Sequence, residues 1–297
     1  MSRSKPTILV VGATGKTGSM IVAHLEEKYA NDVNVRPTSR RQEQVDQWKA
    51  HGKDAALLDL DDPSTFGPAL CNVDRAFLVT SYTVDMLVHA KTFVDAAVKA
   101  GVFHIVHLGS FGNWDCTAPN FVWNLMVETY IQASRIKWTN LRPNFFADNL
   151  TSVMPVQNGK FQTFLGDRRV GWIALEDVAE VGAKALAEGP TKHHGKNYWL
   201  STESMNGEEM AKVLTKAVGK RISYEEKTPS DFKELIESTD IGIEKTYAKG
   251  LAENLQQMYD GRMAYIATVR TDVPYLLGRP GMSMLEWAKR HKEQLLS

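Results

Sequence analysis

Short β-branched and apolar runs alternate with amphipathic stretches along the first half of the chain. The runs are Ile8–Val11, Val33–Val35, Ala55–Leu58, Ala76–Thr80, His104–Leu108 and Trp138–Leu141. Runs this short, bounded by turn residues, predict buried strands. Between several of them the apolar positions shift to a helical period. Ser19–Lys28 carries Met20, Ile21, Ala23, His24 and Leu25. Met86–Ala100 places Leu87, Ala90, Phe93, Val94, Ala97 and Val98 on helical spacing, and Gly101 stops it. Ala118–Ser134 is helical in its second part, through Leu125, Val127, Tyr130 and Ile131. Alternation of this kind over about 150 residues predicts crossover units, hence a Rossmann-type α/β fold: a doubly wound parallel sheet with helices on both faces.

After Pro143 the pattern loosens. Leu175–Glu188 reads as a helix ended by Gly189-Pro190, Asn197–Leu200 as a strand, and Asn206–Val218 as a helix capped by Gly219. Arg221–Tyr224 reads as a short strand, and Asp231–Ser297 as mostly helical, with turns at Gly242, Gly261 and Gly278–Gly281. The expectation is a sheet domain over residues 1–150, to which the chain returns around 170–200. A smaller, mostly helical C-terminal lobe over 201–297 is expected to close a substrate pocket.

Composition narrows the classes. The 297 residues hold 35 Lys+Arg against 35 Asp+Glu, a balance that argues against a nucleic-acid footprint. Two cysteines, Cys71 and Cys116, exclude a disulfide scaffold and a cysteine-based zinc site. The apolar run near the N-terminus is too short for a signal-peptide core, and no stretch reaches the length of a membrane span. A cytoplasmic protein with no membrane partner and no metal is expected, as a monomer or homodimer.

The strongest local signal is Gly12-Ala13-Thr14-Gly15-Lys16-Thr17-Gly18, which follows the first strand and opens the first helix. Gly12 permits a tight turn, Gly15 lets backbone approach a pyrophosphate, and Gly18 allows close helix–strand packing. The helix N-terminus supplies free N–H groups to an anion. Thr14, Lys16 and Thr17 complete the candidate site; the alternative is a plain tight turn. A Walker A loop is excluded, because Val10 stands where its first glycine belongs.

The second strand runs into Arg36-Pro37-Thr38-Ser39-Arg40-Arg41 with no acid. An acid there would bind the ribose of NAD; arginine suits a 2′-phosphate. Ser39, Arg40 and Arg41 therefore point to NADP(H), against the alternative of a solvated basic turn. Asp59-Leu60 falls beside the adenine, where Asp59 contacts the base or caps its own turn. Thr80 and Ser81 border the middle of the cofactor. Ser110, Pro143, Asn144 and Phe145 face the nicotinamide end, since ligands of open α/β sheets sit at the carboxyl ends of strands.

A short-chain dehydrogenase acid pair, Tyr-x-x-x-Lys, is missing after the fifth strand. The tyrosine there is Tyr130, with Ser134 four residues on. The glycine pattern, the strand His104–Leu108, the helix with Glu128, the run Trp138–Phe146 with Asn149, then Asp177-Val178-Ala179 and Gly195-Lys196-Asn197-Tyr198 follow one order. In that order the chain resembles the NmrA-like atypical short-chain dehydrogenase/reductases over about residues 7–290. The resemblance implies NAD(P)H-dependent reduction of quinones, azo dyes, triphenylmethane dyes or ergot alkaloids, or a redox-sensing regulator with little catalysis. Some members carry Lys or His on the helix before Glu128; this chain has Trp123, Asn124, Leu125 and Met126 there.

A hydride can be transferred largely by positioning the cofactor against a flat acceptor. The aromatic segment Phe111–Trp123 follows the fifth strand and is expected to wall the nicotinamide. Phe111, Trp114 and Trp123, with Tyr82, Phe146 and Met154, form the expected pocket for a small-molecule substrate; the alternative for each ring is core packing. Asp115 is the candidate proton donor, Glu128 reads as structural, and Cys116 lacks a His partner. His193-His194 reads as surface loop. The C-terminal stretch Glu286–Gln294 reads as a solvated amphipathic end, with Leu285, Ala288 and Leu295 inward. Tyr247–Tyr265 covers the pocket or serves a partner. Two functions fit: an NADPH-dependent reductase of a planar electron-poor acceptor, or an NADP(H)-binding redox sensor that reports to a protein partner.

Overall fold

The computed structural model describes residues 5–239 and 242–296; Met1–Ser4, on which the leader reading partly rests, and Ser297 lie outside them. The strands are β1 Thr7–Val10, β2 Asn34–Ser39, β3 Ala56–Leu57, β4 Arg75–Leu78, β5 His104–Leu108, β6 Lys137–Pro143, β7 Phe145–Phe146, β8 Lys160–Thr163, β9 Val170–Ile173, β10 Lys196–Leu200, β11 Glu203–Met205 and β12 Ser223–Glu226. The helices are α1 Lys16–Lys28, α2 Gln42–Ala50, α3 Phe66–Leu70, α4 Met86–Ala100, α5 Pro119–Ala133, α6 Leu175–Glu188, α7 Pro190–His193, α8 Gly207–Val218, α9 Pro229–Ser238, α10 Lys245–Tyr259, α11 Asp272–Leu277, α12 Met284–Arg290 and α13 Lys292–Leu296.

Seven strands pair in parallel in the order β10-β6-β5-β4-β1-β2-β3. The order reverses between β1 and β4, which makes that edge the switch point of a Rossmann-type sheet. Alternation along β1 explains the two helical layers. Ile8 and Val10 face Ile21, Leu25 and Val178 of α1 and α6. Leu9 and Val11 face Phe66, Phe93 and Val94 of α3 and α4. Successive strand side chains point to opposite faces, so a fully apolar run needs cover on both. Each such side chain contributes about 1.5–3 kcal/mol when fully buried.

A further core gathers around Trp172 and Trp287, both essentially inaccessible, with Phe161, Leu150, Met210 and Leu214. It carries a three-stranded sheet, β11-β9-β7, and the pair β12-β8. The sequence pattern did not announce β7, β8, β9 or β11, and it set the last short strand two residues early. Of the C-terminal residues expected inward, Ala288 and Leu295 are buried. The rest needs correction: the end folds as two short helices, Leu285 is only half-buried, and Met284 and Trp287 are buried as well.

His193 is a second correction. It is 3% exposed and ends α7; its Nδ1 lies 2.7 Å from Tyr198 Oη and its Nε2 3.0 Å from Glu188. His194 is exposed, as expected, and its Nδ1 accepts the N–H of Trp138. Among the described residues no helix is long and apolar enough to cross a membrane, and no cluster of His, Cys, Asp and Glu is placed to hold a metal.

Candidate functional site

The glycine turn stands at the carboxyl end of β1. Gly12 has φ +68°, a left-handed conformation that costs a non-glycine residue, and its carbonyl accepts the N–H of Gly15 at 2.9 Å. Helix α1 then starts at Gly15 with no side-chain cap and no acid in its first turn. Its first N–H groups and partial positive charge are left for an outside anion. The glycines are not equivalent. A Cβ at Gly18 would lie 2.3 Å from the Gly12 carbonyl oxygen, whereas one at Gly15 would lie 3.3 Å from it. Gly18 therefore closes the turn onto the helix, and Gly15 stays exposed beside Thr14 and Lys16, with Thr17 half-buried. A dinucleotide pyrophosphate fits this cradle, because backbone meets it with no Cβ in the way.

The three arginines after β2 divide. Arg36 is engaged: its guanidinium holds Asp54 at 2.9 Å and donates to the carbonyls of Ala69 and Cys71. Arg40 and Arg41 are exposed, and neither guanidinium meets a carboxylate among the described residues. Ser39 is buried, and its Oγ accepts the N–H of Arg41 at 3.0 Å, which sets the turn that presents both arginines. Asp59 accepts the N–H of Asp61, and its own N–H goes to Thr65 Oγ1. Of its two expected roles, the capping one is visible. Leu60 and Thr80 are half-buried and Ser81 exposed.

At the far end of the sheet, Ser110 follows β5 with its Oγ buried and without a hydrogen-bond partner. An orphaned hydroxyl there suits a polar ligand at the carboxyl ends of the strands. Behind it, Glu128 of α5 pairs with Arg142 of β6; Arg142 Nε reaches both carboxylate oxygens at 3.1 and 3.2 Å. Burial pushes the Glu128 carboxyl up, against the pull of Arg142. A Cβ at Gly109 would stand 2.7 Å from Glu128 Oε1, so this pair packs helix, strand and loop together. Glu128 is structural, as its place on the helix suggested.

The expected pocket residues separate. Phe111 meets Trp199 edge-on at 4.9 Å, and with Asn113, Tyr265, Thr268 and Arg270 they line a cleft of about 230 Å³. The Arg142 guanidinium lies 4.7 Å from the Trp199 ring centroid. Tyr82 and Trp123 instead flank Tyr247, at 5.6 and 5.7 Å. Phe145 packs against Trp172 and Met154 joins the same core, while Phe146 packs under the sheet. Pro143 is buried. Trp114 is 79% exposed. Asp115 is exposed as well. Asn144, expected beside the cofactor, has its amide engaged: Nδ2 donates to the Ile266 carbonyl at 2.8 Å and Oδ1 accepts the Phe145 N–H.

Trp199, Thr268 and Arg270 escaped the sequence reading, and Tyr265 entered it only as the end of a covering segment. Trp199 sits in the expected strand Asn197–Leu200, so its position at a strand's carboxyl end was the available signal. The Tyr265 Oη accepts the Asn113 N–H at 3.3 Å, and Cys116 lies beside it. Burial, then the Cys116 contact, raise its hydroxyl well above the usual tyrosine range.

The model of the NmrA-like family matches residues 4–290. An NAD(P)H azoreductase of Xenophilus azovorans is 31% identical over 294 residues, covering 96% of this chain and 97% of that protein. The triphenylmethane reductase of Citrobacter sp., solved with NADP(H), superposes with a TM-score of 0.80 at 21% identity, covering 97% of this chain and 99% of its own. NmrA, a negative transcriptional regulator solved in complex with NADP, superposes at 0.73 and 19% identity over 97% of this chain and 95% of its own. These structural likenesses show the fold.

Proposed function

The chain belongs to the NmrA-like family, and from that premise we propose that it is an NADPH-dependent reductase that passes a hydride to a small, planar, electron-poor acceptor of quinone, azo, imine or enone type. The observation that carries the reading is a pairing of two places on one sheet edge. An uncapped helix end with two free arginines suits the phosphates of NADP(H), and an aromatic cleft lies beyond β5 and β10. When bound, the cofactor supplies the hydride.

The protein's own residues then bind and orient. Gly12, Gly15 and the first turn of α1 hold the pyrophosphate, and Arg40 and Arg41 hold the 2′-phosphate. Ser110 Oγ gives the orphaned hydroxyl at the reactive end. Trp199, backed by the buried Phe111, gives the cleft an aromatic wall, and Tyr265, Asn113, Thr268 and Arg270 offer polar groups at its rim.

A second reading is a redox sensor, and one observation favours it. Tyr130, the tyrosine after β5, spends its hydroxyl on Asp95 of α4 at the surface, away from the cleft. Saturable NADPH oxidation, followed at the nicotinamide absorbance against quinones, azo dyes, imines and enones, tests both. Turnover that disappears in Gly15→Val supports the reductase. Tight NADPH binding with no turnover supports the sensor.

A further inference from the structure

Hydride transfer to a neutral acceptor leaves a negative charge that needs a proton, and no Tyr-x-x-x-Lys pair stands after β5. We propose that Tyr265 donates this proton, its phenol protonating the acceptor from the wall of the Phe111–Trp199 cleft. The inference rests on the reductase reading above.

Two anchors place this ring. The backbone N–H of Asn113, in the loop after β5, donates to Tyr265 Oη at 3.3 Å. The next residue, Ile266, is held through its carbonyl by Asn144 Nδ2 at the end of β6. Tyr265 is thereby fixed over the carboxyl ends of β5 and β6, where ligands of this sheet type bind. Tyr265 is half-buried and is one of the residues that line the cleft. Burial and the Cys116 contact keep the group as O–H across the neutral range.

The step balances as follows. Hydride, which a bound cofactor would supply, adds with its electron pair to one atom of the acceptor's double bond, and the π pair moves to the other terminus. There the bond to hydrogen forms as the Tyr265 O–H bond breaks. The phenolate left behind accepts the Asn113 N–H and is reprotonated by water from the open cleft. So weak an acid protonates only a more basic anion. Azo nitrogen and the enolate of an enone meet that condition better than a hydroquinone anion does.

Tyr265→Phe keeps the ring and removes the proton. The comparison is between a neutral azo dye or enone and a cationic acceptor, such as an iminium or triarylmethyl cation, which becomes neutral on taking hydride and needs no proton. In the variant, kcat for the neutral acceptors falls by about 100-fold, the wild-type solvent isotope effect disappears, and the cationic acceptor changes by less than about threefold. Equal losses for both classes, or no loss, overturn the proposal. A second readout needs no cofactor: quenching of tryptophan fluorescence by the azo dye. Tyr265→Phe weakens dye binding several-fold while Tyr130→Phe, which removes a hydroxyl bonded to Asp95 away from the cleft, does not. Unchanged dye binding in Tyr265→Phe overturns the contact, even if the wild-type protein proves not to be a reductase.

Discussion

Asn144 Nδ2 donates to the backbone carbonyl of Ile266 at 2.8 Å, across 122 positions of sequence. The residue that closes β6 thus carries the segment holding Tyr265, and both partners are buried. The amide expected beside the cofactor thus holds the opposite wall of the cleft.

Asn144→Ala leaves the Ile266 carbonyl buried and unpaired, which costs about 1–3 kcal/mol. Denaturant unfolding should show that loss. The KM for acceptor should rise several-fold while NADPH affinity stays within about twofold, because α1 and the arginines are untouched. A parallel fall in NADPH affinity would return Asn144 to the cofactor site.

Replacing Arg40 and Arg41 together by Ala removes two charge-assisted contacts to a 2′-phosphate, each worth about 1.5–3 kcal/mol. NADPH affinity should drop by roughly 100-fold or more, and NADH affinity by far less. Equal losses for the two cofactors, read by titration, would show that the arginines bind no 2′-phosphate. Arg36→Ala should act otherwise, destabilising the fold through Asp54 without changing cofactor preference.

Gly15 and Gly18 should separate binding from folding. Gly15→Val puts a branched side chain into the anion cradle of a folded chain and should abolish dinucleotide binding. Gly18→Ala drives a methyl to within 2.3 Å of the Gly12 carbonyl oxygen, so it should lower the melting temperature before any ligand is added. Circular dichroism alongside NADPH titration distinguishes the two.

Acid should unfold this protein through its core histidines. Burial holds His104 and His107 down to about 3, with the charges of Arg75 and Arg142 adding. In the unfolded chain both titrate near the ordinary histidine value of 6.5. The unfolded state therefore binds more protons between those values, and their contribution is full above about pH 6.5 and lost as pH falls toward 3. Two such groups give a slope near 2.7 kcal/mol per pH unit below about pH 5.5. Denaturant midpoints between pH 7.5 and pH 5 should fall accordingly, and His107→Asn should flatten the dependence. A flat profile would mean that neither ring is buried neutral.

The sheet was legible because its information is local. Apolar runs such as Ile8–Val11 and His104–Leu108, set between helical patterns, need no long-range knowledge to be read as covered strands. The glycine turn and the run of arginines after β2 were legible for the same reason, whereas the engagement of Arg36 with Asp54 was not. The acceptor cleft was not, since Phe111, Trp199 and Tyr265 come from three distant segments, and only the fold brings them together. Met154 shows the reverse difficulty: a thioether beyond a strand end reads as a pocket lining, and only the fold reveals that it packs against the core around Trp172. His193 misled because adjacent histidines read as solvated, while Glu188 and Tyr198, each five residues away, supply its partners.

The edge strand β10 pairs with β6 from Thr139 to Pro143, although more than fifty residues and three other strands intervene. The order of events in folding follows. Strands β1 to β6 can zip up through successive short crossovers, but β10 must wait for a long loop to close. A chain cut after residue 150 would leave β6 as a bare edge, its outer face of N–H and C=O groups open to a second molecule. Such a fragment should associate rather than persist as a monomeric nucleotide-binding unit, which makes the late-arriving strand a seal on the finished sheet.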